Sequence, residues 1–193
     1  ASNINLGTTS SVSLWIKRSD TLIAQPLGHT TAWSAFLVRL QTTQISFGTV
    51  PFVFNNATTL STINQTTNWT HLLFVRTGAT CNLYVNGVNY DGAQTNADAA
   101  TINYFRVIGA PGDGTTWAYN GKIDEVAMWT SDQSGNAAAI YGGGKPTDLT
   151  SLSPTAWYRM GEDATFSTNW TIPDKIGSNT GTSANMTVED LVG

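Results

Sequence analysis

The sequence predicts an all-β chain with the strand spacing of a sandwich, and three observations carry that reading. Of 193 residues, 45 are Ser or Thr and 16 are Asn, while only 11% are charged, against about 25% in an ordinary soluble domain. Thr suits strands, Asn and Gly suit turns, and the helix formers Leu, Glu, Lys and Arg are scarce. Period-two alternation is the second observation. The third is the return of turn residues roughly every eight to twelve positions, the spacing of a sandwich.

The elements follow in order. Ser11 to Arg18 (SVSLWIKR) alternates, with Val12, Leu14 and Ile16 on one face and Ser11, Ser13 and Lys17 mostly on the other, which predicts a half-buried strand. Residues 33–40 (WSAFLVRL) are apolar on both faces apart from Ser34 and Arg39, and short strands follow at 44–47 and 51–54. Trp69 to Arg76 and Cys81 to Val85 flank the turn Thr77-Gly78-Ala79-Thr80. The pair Asn86-Gly87 then predicts a type I′ hairpin, because both residues tolerate positive φ. Residues 101–108 (TINYFRVI) and Gly121 to Trp129 (GKIDEVAMW) read as strands around a glycine-rich loop. One short helix is predicted near 133–141, capped by the run Gly142-Gly143-Gly144. Residues 142–153 read as a linker, 156–160 as a strand and 183–188 as a weaker one.

The length suits one domain, and seven Trp, six Tyr and seven Phe supply a sizeable core. A net charge of −4 with basic residues scattered singly excludes a phosphate-tracking surface, so nucleic acid is not an expected partner. No apolar run approaches the ~18 residues of a membrane span. Cys81 is alone, which excludes an internal disulfide and every multi-cysteine zinc framework. Residue 1 is Ala, and no signal peptide is read at the start, as in a processed form or a piece of a longer chain.

Four segments in order, SVSLWIK at 11–17, NWTHLLFVRTG at 68–78, LYVNGV at 83–88 and GKIDEVAMW at 121–129 with its following IYGGG, resemble the laminin-G-like domains of the concanavalin A-like lectin and glucanase superfamily. The resemblance implies a two-sheet antiparallel jelly roll. The C-terminal part departs from it. Ala156-Trp157-Tyr158-Arg159-Met160-Gly161-Glu162, Ile172-Pro173-Asp174 and Gly177 to Thr182 look like the segment that usually opens such a domain, yet here it comes last. Either residues 154–193 supply a permuted first strand to a single domain spanning 1–193, the favoured reading, or they begin a neighbouring domain. Exchange of the tail between protomers is a related arrangement. Tails rich in Trp, Asn and Thr are also similar to those of phage and virus structural proteins.

Glucanases of the superfamily carry paired carboxylates on alternate positions of one strand. Asp124 and Glu125 are adjacent, so simple alternation sends them to opposite faces, and Glu162-Asp163 and Glu189-Asp190 share this defect. The expectation is therefore a protein that is not an enzyme. His29 and His71 lack ligand spacing, His71 reads as a packed histidine, and Cys81 as an inert core thiol. Calcium is the candidate cofactor that the resemblance implies, with Asp113, Asp124 and Asp91 as candidate ligands. The competing reading gives Asp124 a capping role at a strand bend and Asp113 a turn role.

Sugar recognition needs flat apolar faces beside amides and carboxylates. Trp117, Tyr119 and Asn120 crowd the glycine-rich loop near Asp113 and are the candidate ligand-binding residues, against the alternative that Trp117 packs over the sandwich end. Five Asn-x-Ser/Thr sequons, at Asn56, Asn64, Asn68, Asn169 and Asn185, are no more than such a composition produces. The function expected is a non-catalytic, lectin-like carbohydrate-binding module at an extracellular or virion surface, with glycans as partners. The alternative is a structural or protein-interaction domain in a homo-oligomer or among neighbouring virion subunits.

Overall fold

The computed structural model describes residues 4–28, 36–48, 51–97, 107–109, 117–184 and 186–190. In chain order its strands are β1 (Thr9–Arg18), β2 (Ala24–Gly28), β3 (Phe36–Leu40), β4 (Ile45–Phe47) and β5 (Phe52–Phe54). After helix α1 (Ala57–Ile63) come β6 (Thr70–Thr77), β7 (Thr80–Val85), β8 (Val88–Asn89), β9 (Gln94–Thr95), β10 (Val107–Ile108) and β11 (Gly121–Trp129). Helix α2 (Ala137–Tyr141) precedes β12 (Ala156–Tyr158), β13 (Thr165–Phe166), β14 (Trp170–Ile172) and β15 (Gly181–Thr182).

A seven-stranded antiparallel sheet runs β12-β11-β1-β6-β7-β8, with β9 also on β7, and faces a five-stranded sheet ordered β10-β2-β3-β4-β5. Their inner faces make the main core. Phe47 of β4 stacks on Phe74 of β6 at 4.7 Å and Phe54 of β5 meets the same ring at 6.1 Å, so one aromatic group joins the two layers. The Asn86-Gly87 turn takes φ values of 50° and 80°, as the hairpin requires.

The half-buried reading of β1 is corrected. Its residues from Ser10 to Ile16 are all buried, because a second apolar layer covers the outer face of the large sheet. Leu73, Val75, Ala127, Trp129 and Trp157 on that face pack against Ala137 and Ile140 of α2 and against Leu149. The polar residues of β1 are satisfied there. Ser11 Oγ donates to Ser131 O at 2.8 Å and accepts from Gln133 N–H at 2.9 Å, while Ser13 Oγ lies 2.8 Å from His71 Nε2. Residues 142–153 are thus no free linker, since Leu149 is buried and Leu152 O accepts the Trp129 indole N–H at 3.0 Å. Helix α2 ends where expected, with Gly142 left-handed at φ 60° and its N–H bonded to Ala138 O.

Two differences lie elsewhere. Helix α1 has no counterpart in the sequence reading, because Thr58, Thr59, Thr62 and Ile63 give it a β-rich composition. Asn56 nevertheless caps it, accepting N–H bonds from Thr58 and Thr59, and Leu60 and Ile63 bury its inner face. The weak strand expected at 183–188 does not form among the described residues; β13, β14 and β15 instead make a small separate sheet, and residues 188–190 form a 3₁₀ turn. Of the strand expected at 101–108, only 107–108 lie within the described residues.

The C-terminal segment closes the edge of the large sheet. β12 pairs antiparallel with β11, Ala127 opposite Trp157. On its other side no further strand follows among the described residues: Asp174 Oδ1 accepts the Trp157 N–H at 3.0 Å, and Lys175 N–H donates to Trp157 O at 2.8 Å. Tyr158 hydroxyl reaches Asn179 O at 2.8 Å. The turn after β14 therefore caps an edge that would otherwise present open backbone groups.

Candidate functional site

Strand register gathers several loops at one end of the sandwich. β1 finishes there at Arg18 opposite Gly121, β3 finishes at Leu40, and β6 begins at Thr70 opposite Ile16. Arg18, buried, organises this end: its Nε donates to Asp20 O at 2.9 Å, Nη1 to Asn64 Oδ1 at 2.7 Å and Nη2 to Leu22 O. Burial lowers its pKa, against the opposing pull of Tyr119 and Asp20. Leu22, 69% exposed, Ile23 and Trp69, 39% exposed, all stand at this same end. Such a grouping of large apolar side chains among polar loops is a feature of recognition surfaces.

The sequence-derived ligand residues lie here. Trp117 is half-buried with φ 62°, its carbonyl accepts Gln25 N–H at 2.8 Å, and the Arg39 guanidinium sits 4.6 Å from its ring centroid. Tyr119 packs on the main core, and burial pushes its phenol far above the usual range, so it stays a neutral donor to Lys122 O. Asn120 is exposed and its amide donates to Asp20 Oδ2 at 2.8 Å. Arg39 was missed in the sequence. It lies 78 positions before Trp117, and nothing local to either residue signals the pairing.

The carboxylates behave differently from the alternation argument. Ser13 pairs with Ala127 but Trp15 pairs with Asp124, so two residues of β11 oppose Leu14 alone. This β-bulge places Glu125 at φ 49° and turns adjacent Asp124 and Glu125 to the same side. Their oxygens lie with one of Glu162 within 4.8 Å of one another, a group that could hold a metal ion. Glu125 is already bound on both oxygens: the Trp157 indole N–H donates to Oε2 at 2.6 Å and Arg159 Nε to Oε1 at 3.1 Å. Arg159 also bridges to Glu162 at 2.9 Å. Asp124 Oδ1 accepts Glu125 N–H at 2.8 Å, the capping role considered for it, and burial pushes its carboxyl up to about 6.

Asp91 stands apart from this group. Its carboxylate accepts Asn56 N–H at 3.3 Å and so ties the turn after β8 to the start of α1. Asp113 and His29 lie outside the described residues. His71 is fully buried against Trp15 and Tyr141, and burial lowers its pKa to about 3. Cys81 is buried, with its thiol pushed well above the usual range by burial.

A laminin-G family model, described as the concanavalin A-like lectin/glucanases superfamily, matches residues 1–139. The chain belongs to this superfamily. Among solved structures, one similar fold is a carbohydrate-binding protein of Bacteroides ovatus, described as such provisionally, at 16% identity and TM-score 0.64. The match covers 92% of this chain but 52% of that one, so the chain spans about half of that neighbour's length. Domain 4 of AbnA, an extracellular arabinanase of Geobacillus stearothermophilus solved with arabinotriose, matches at 19% identity and TM-score 0.51 over 70% of this chain and 67% of that one. The NanB sialidase of Streptococcus pneumoniae matches at 15% identity and TM-score 0.51, over 72% of this chain and 26% of that one. At these identities the likeness is one of fold. No curated protein matches the chain significantly. No described helix is long and apolar enough to cross a membrane.

Proposed function

We propose that the chain is a non-catalytic glycan-binding module of the concanavalin A-like superfamily, acting at an extracellular or virion surface. One observation carries the reading: half-buried Trp117, with the Arg39 guanidinium 4.6 Å from its ring, lies three residues before exposed Asn120 at a loop end that also exposes Leu22, Ile23 and Trp69. An aromatic face flanked by amide groups is the surface a sugar ring requires. Two fold neighbours described in carbohydrate-binding terms support the same reading. Glu125, held on both oxygens by Trp157 and Arg159, supports a structural carboxylate over a reacting one. Residues 154–193 belong in this reading to the same domain as a permuted first strand, supported by the pairing of β12 with β11.

Calcium enters the reading through Asp124, Glu125 and Glu162, whose oxygens match the donor chemistry of a hard cation. Arg159 already neutralises two of the three, so an ion there competes with a guanidinium and is held weakly. A broad glycan array, probed with calcium and again with a chelator, tests both parts. Binding that chelation abolishes supports the calcium-dependent form, and binding in both conditions supports a metal-free aromatic platform. Binding in neither condition sinks the glycan reading.

A structural or protein-interaction module is the second reading. It is favoured by Phe166, Ile176 and Val188, exposed apolar residues that all belong to the C-terminal segment. A stable trimer or larger assembly in light scattering supports it, and a monomer opposes it.

A further inference from the structure

We propose a second saccharide subsite, specific for neutral sugars, in the groove between the tip of the β3–β4 hairpin and helix α1. This inference rests on the glycan-binding reading above but not on the Trp117 loop. The groove is shallow and open to solvent, with a volume of about 400 Å³. Thr42, Thr43, Asn55 and Ser61 line it with polar side chains, and Ala57 and Leu60 with apolar ones.

The groove is built in advance. Asn64, which also lines it, donates through Nδ2 to Thr42 O at 3.3 Å and accepts from Arg18 at 2.7 Å through Oδ1, so hairpin tip and helix are pinned to one buried guanidinium. Gln41 N–H bonds to Gln44 O at 2.9 Å and fixes the tip itself. A ligand entering a fixed groove loses little to the ordering of its walls.

Its chemistry selects the ligand class. Thr42, Thr43, Asn55 and Ser61 are exposed, and among the described residues no hydrogen bond uses their side chains, so three hydroxyls and one carboxamide stand near the apolar Ala57 and Leu60 as donors and acceptors. No charged side chain lines the groove, which gives an anion no partner and a metal ion no carboxylate. Hydroxyls around the rim and C–H groups on the face are the surface pattern of an uncharged sugar ring. The same Arg18 links this groove through Asn64 to the Asp20 backbone, and Asp20 in turn holds Asn120, so both subsites share one end of the sandwich.

The test is a titration of the ¹⁵N-labelled chain with two neutral trisaccharides of different ring size, arabinotriose and cellotriose, followed by amide shifts. At least one is expected to move the amides of Thr43, Asn55 and Ser61. Asn55→Ala and Ser61→Trp are each expected to weaken that response at least tenfold while leaving the thermal midpoint within a few degrees, and Trp117→Ala is expected to leave it intact. Shifts confined to residues 117–120 overturn the subsite and leave the glycan reading standing. Groove shifts that survive both groove variants also overturn it. No shift at either place with either probe overturns the subsite, and the array then decides the glycan reading separately.

Discussion

The indole N–H of Trp157 donates to Oε2 of Glu125 at 2.6 Å, joining the C-terminal strand β12 to the bulge of β11 through two side chains that are each nearly fully buried. Arg159, two residues on, holds the other carboxylate oxygen. The pairing of β12 with β11 therefore has a chemical lock as well as a backbone ladder.

Glu125→Ala removes that lock, leaving a buried indole N–H without its acceptor and Arg159 with Glu162 alone. The expected loss is about 2 kcal/mol of unfolding free energy, since a buried indole N–H is left unsatisfied. Urea unfolding measures it. A loss below about 1 kcal/mol would mean that β12 is held by its backbone pairing alone.

Gly177→Ala tests the cap on the outer edge of β12. A Cβ at Gly177 would meet Asp174 Oδ2 at 2.6 Å, and Asp174 cannot retreat without loosening its bonds to Trp157, Ile176 and Asn179. The variant is expected to lose on the order of 1–2 kcal/mol. Hydrogen exchange at the Trp157 amide is expected to quicken at least tenfold, and an unchanged rate would show that Asp174 does not guard the edge.

His71 makes stability fall in acid. Its folded pKa, lowered to about 3 by burial, lies below the 6.5 of the free side chain, so the unfolded chain takes up the proton first as pH drops. The contribution is intact above pH ~6.5 and declines through pH ~3, amounting to about 2 kcal/mol by pH 5. His71→Phe, which keeps a ring against Trp15 and Tyr141, is expected to flatten this slope. If the variant and the parent chain lose stability in parallel between pH 7 and 5, His71 is not its source.

Asp124 acts in the opposite sense. Its folded pKa is raised by burial to about 6, so the ionised form at neutral pH opposes folding, and this is relieved as pH falls from ~6 towards 3.8. Asp124→Asn keeps an oxygen for Glu125 N–H. It is expected to raise the thermal midpoint more at pH 8 than at pH 4, and an equal change at both would refute the assignment.

Trp117→Ala is expected to weaken at least tenfold the binding of those array glycans that shift the amides of residues 117–120, with the thermal midpoint moved by only a few degrees. A variant that unfolds instead would make Trp117 a packing residue of the sandwich end.

What the sequence could reveal depended on the range of the signal. Local patterns placed β1, β6, β7, β11, the Asn86-Gly87 turn and the Gly142 cap, because alternation, positive φ and glycine chemistry act over a few residues. The bulge at Glu125 was invisible, since one extra residue leaves the composition unchanged and only the register of β1 exposes it. Helix α1 was hidden by its threonines, although Asn56 offered a capping signal. The burial of Ser11 and Ser13 arises from a cover written more than a hundred residues later, and Arg39 over Trp117 is likewise a product of topology.

The position of β1 bears on how the chain is made. It is central in the large sheet, between β6 and β11. At a synthesis rate of ~5–20 residues per second, the ~100 residues from Arg18 to Gly121 take on the order of 5–20 s to emerge. During that interval an apolar strand waits at the ribosome with one flank unpartnered, and the sheet border is sealed later still, when Asp174 arrives. Slow translation and holdase chaperones therefore bear on the yield of this protein more than on its final stability.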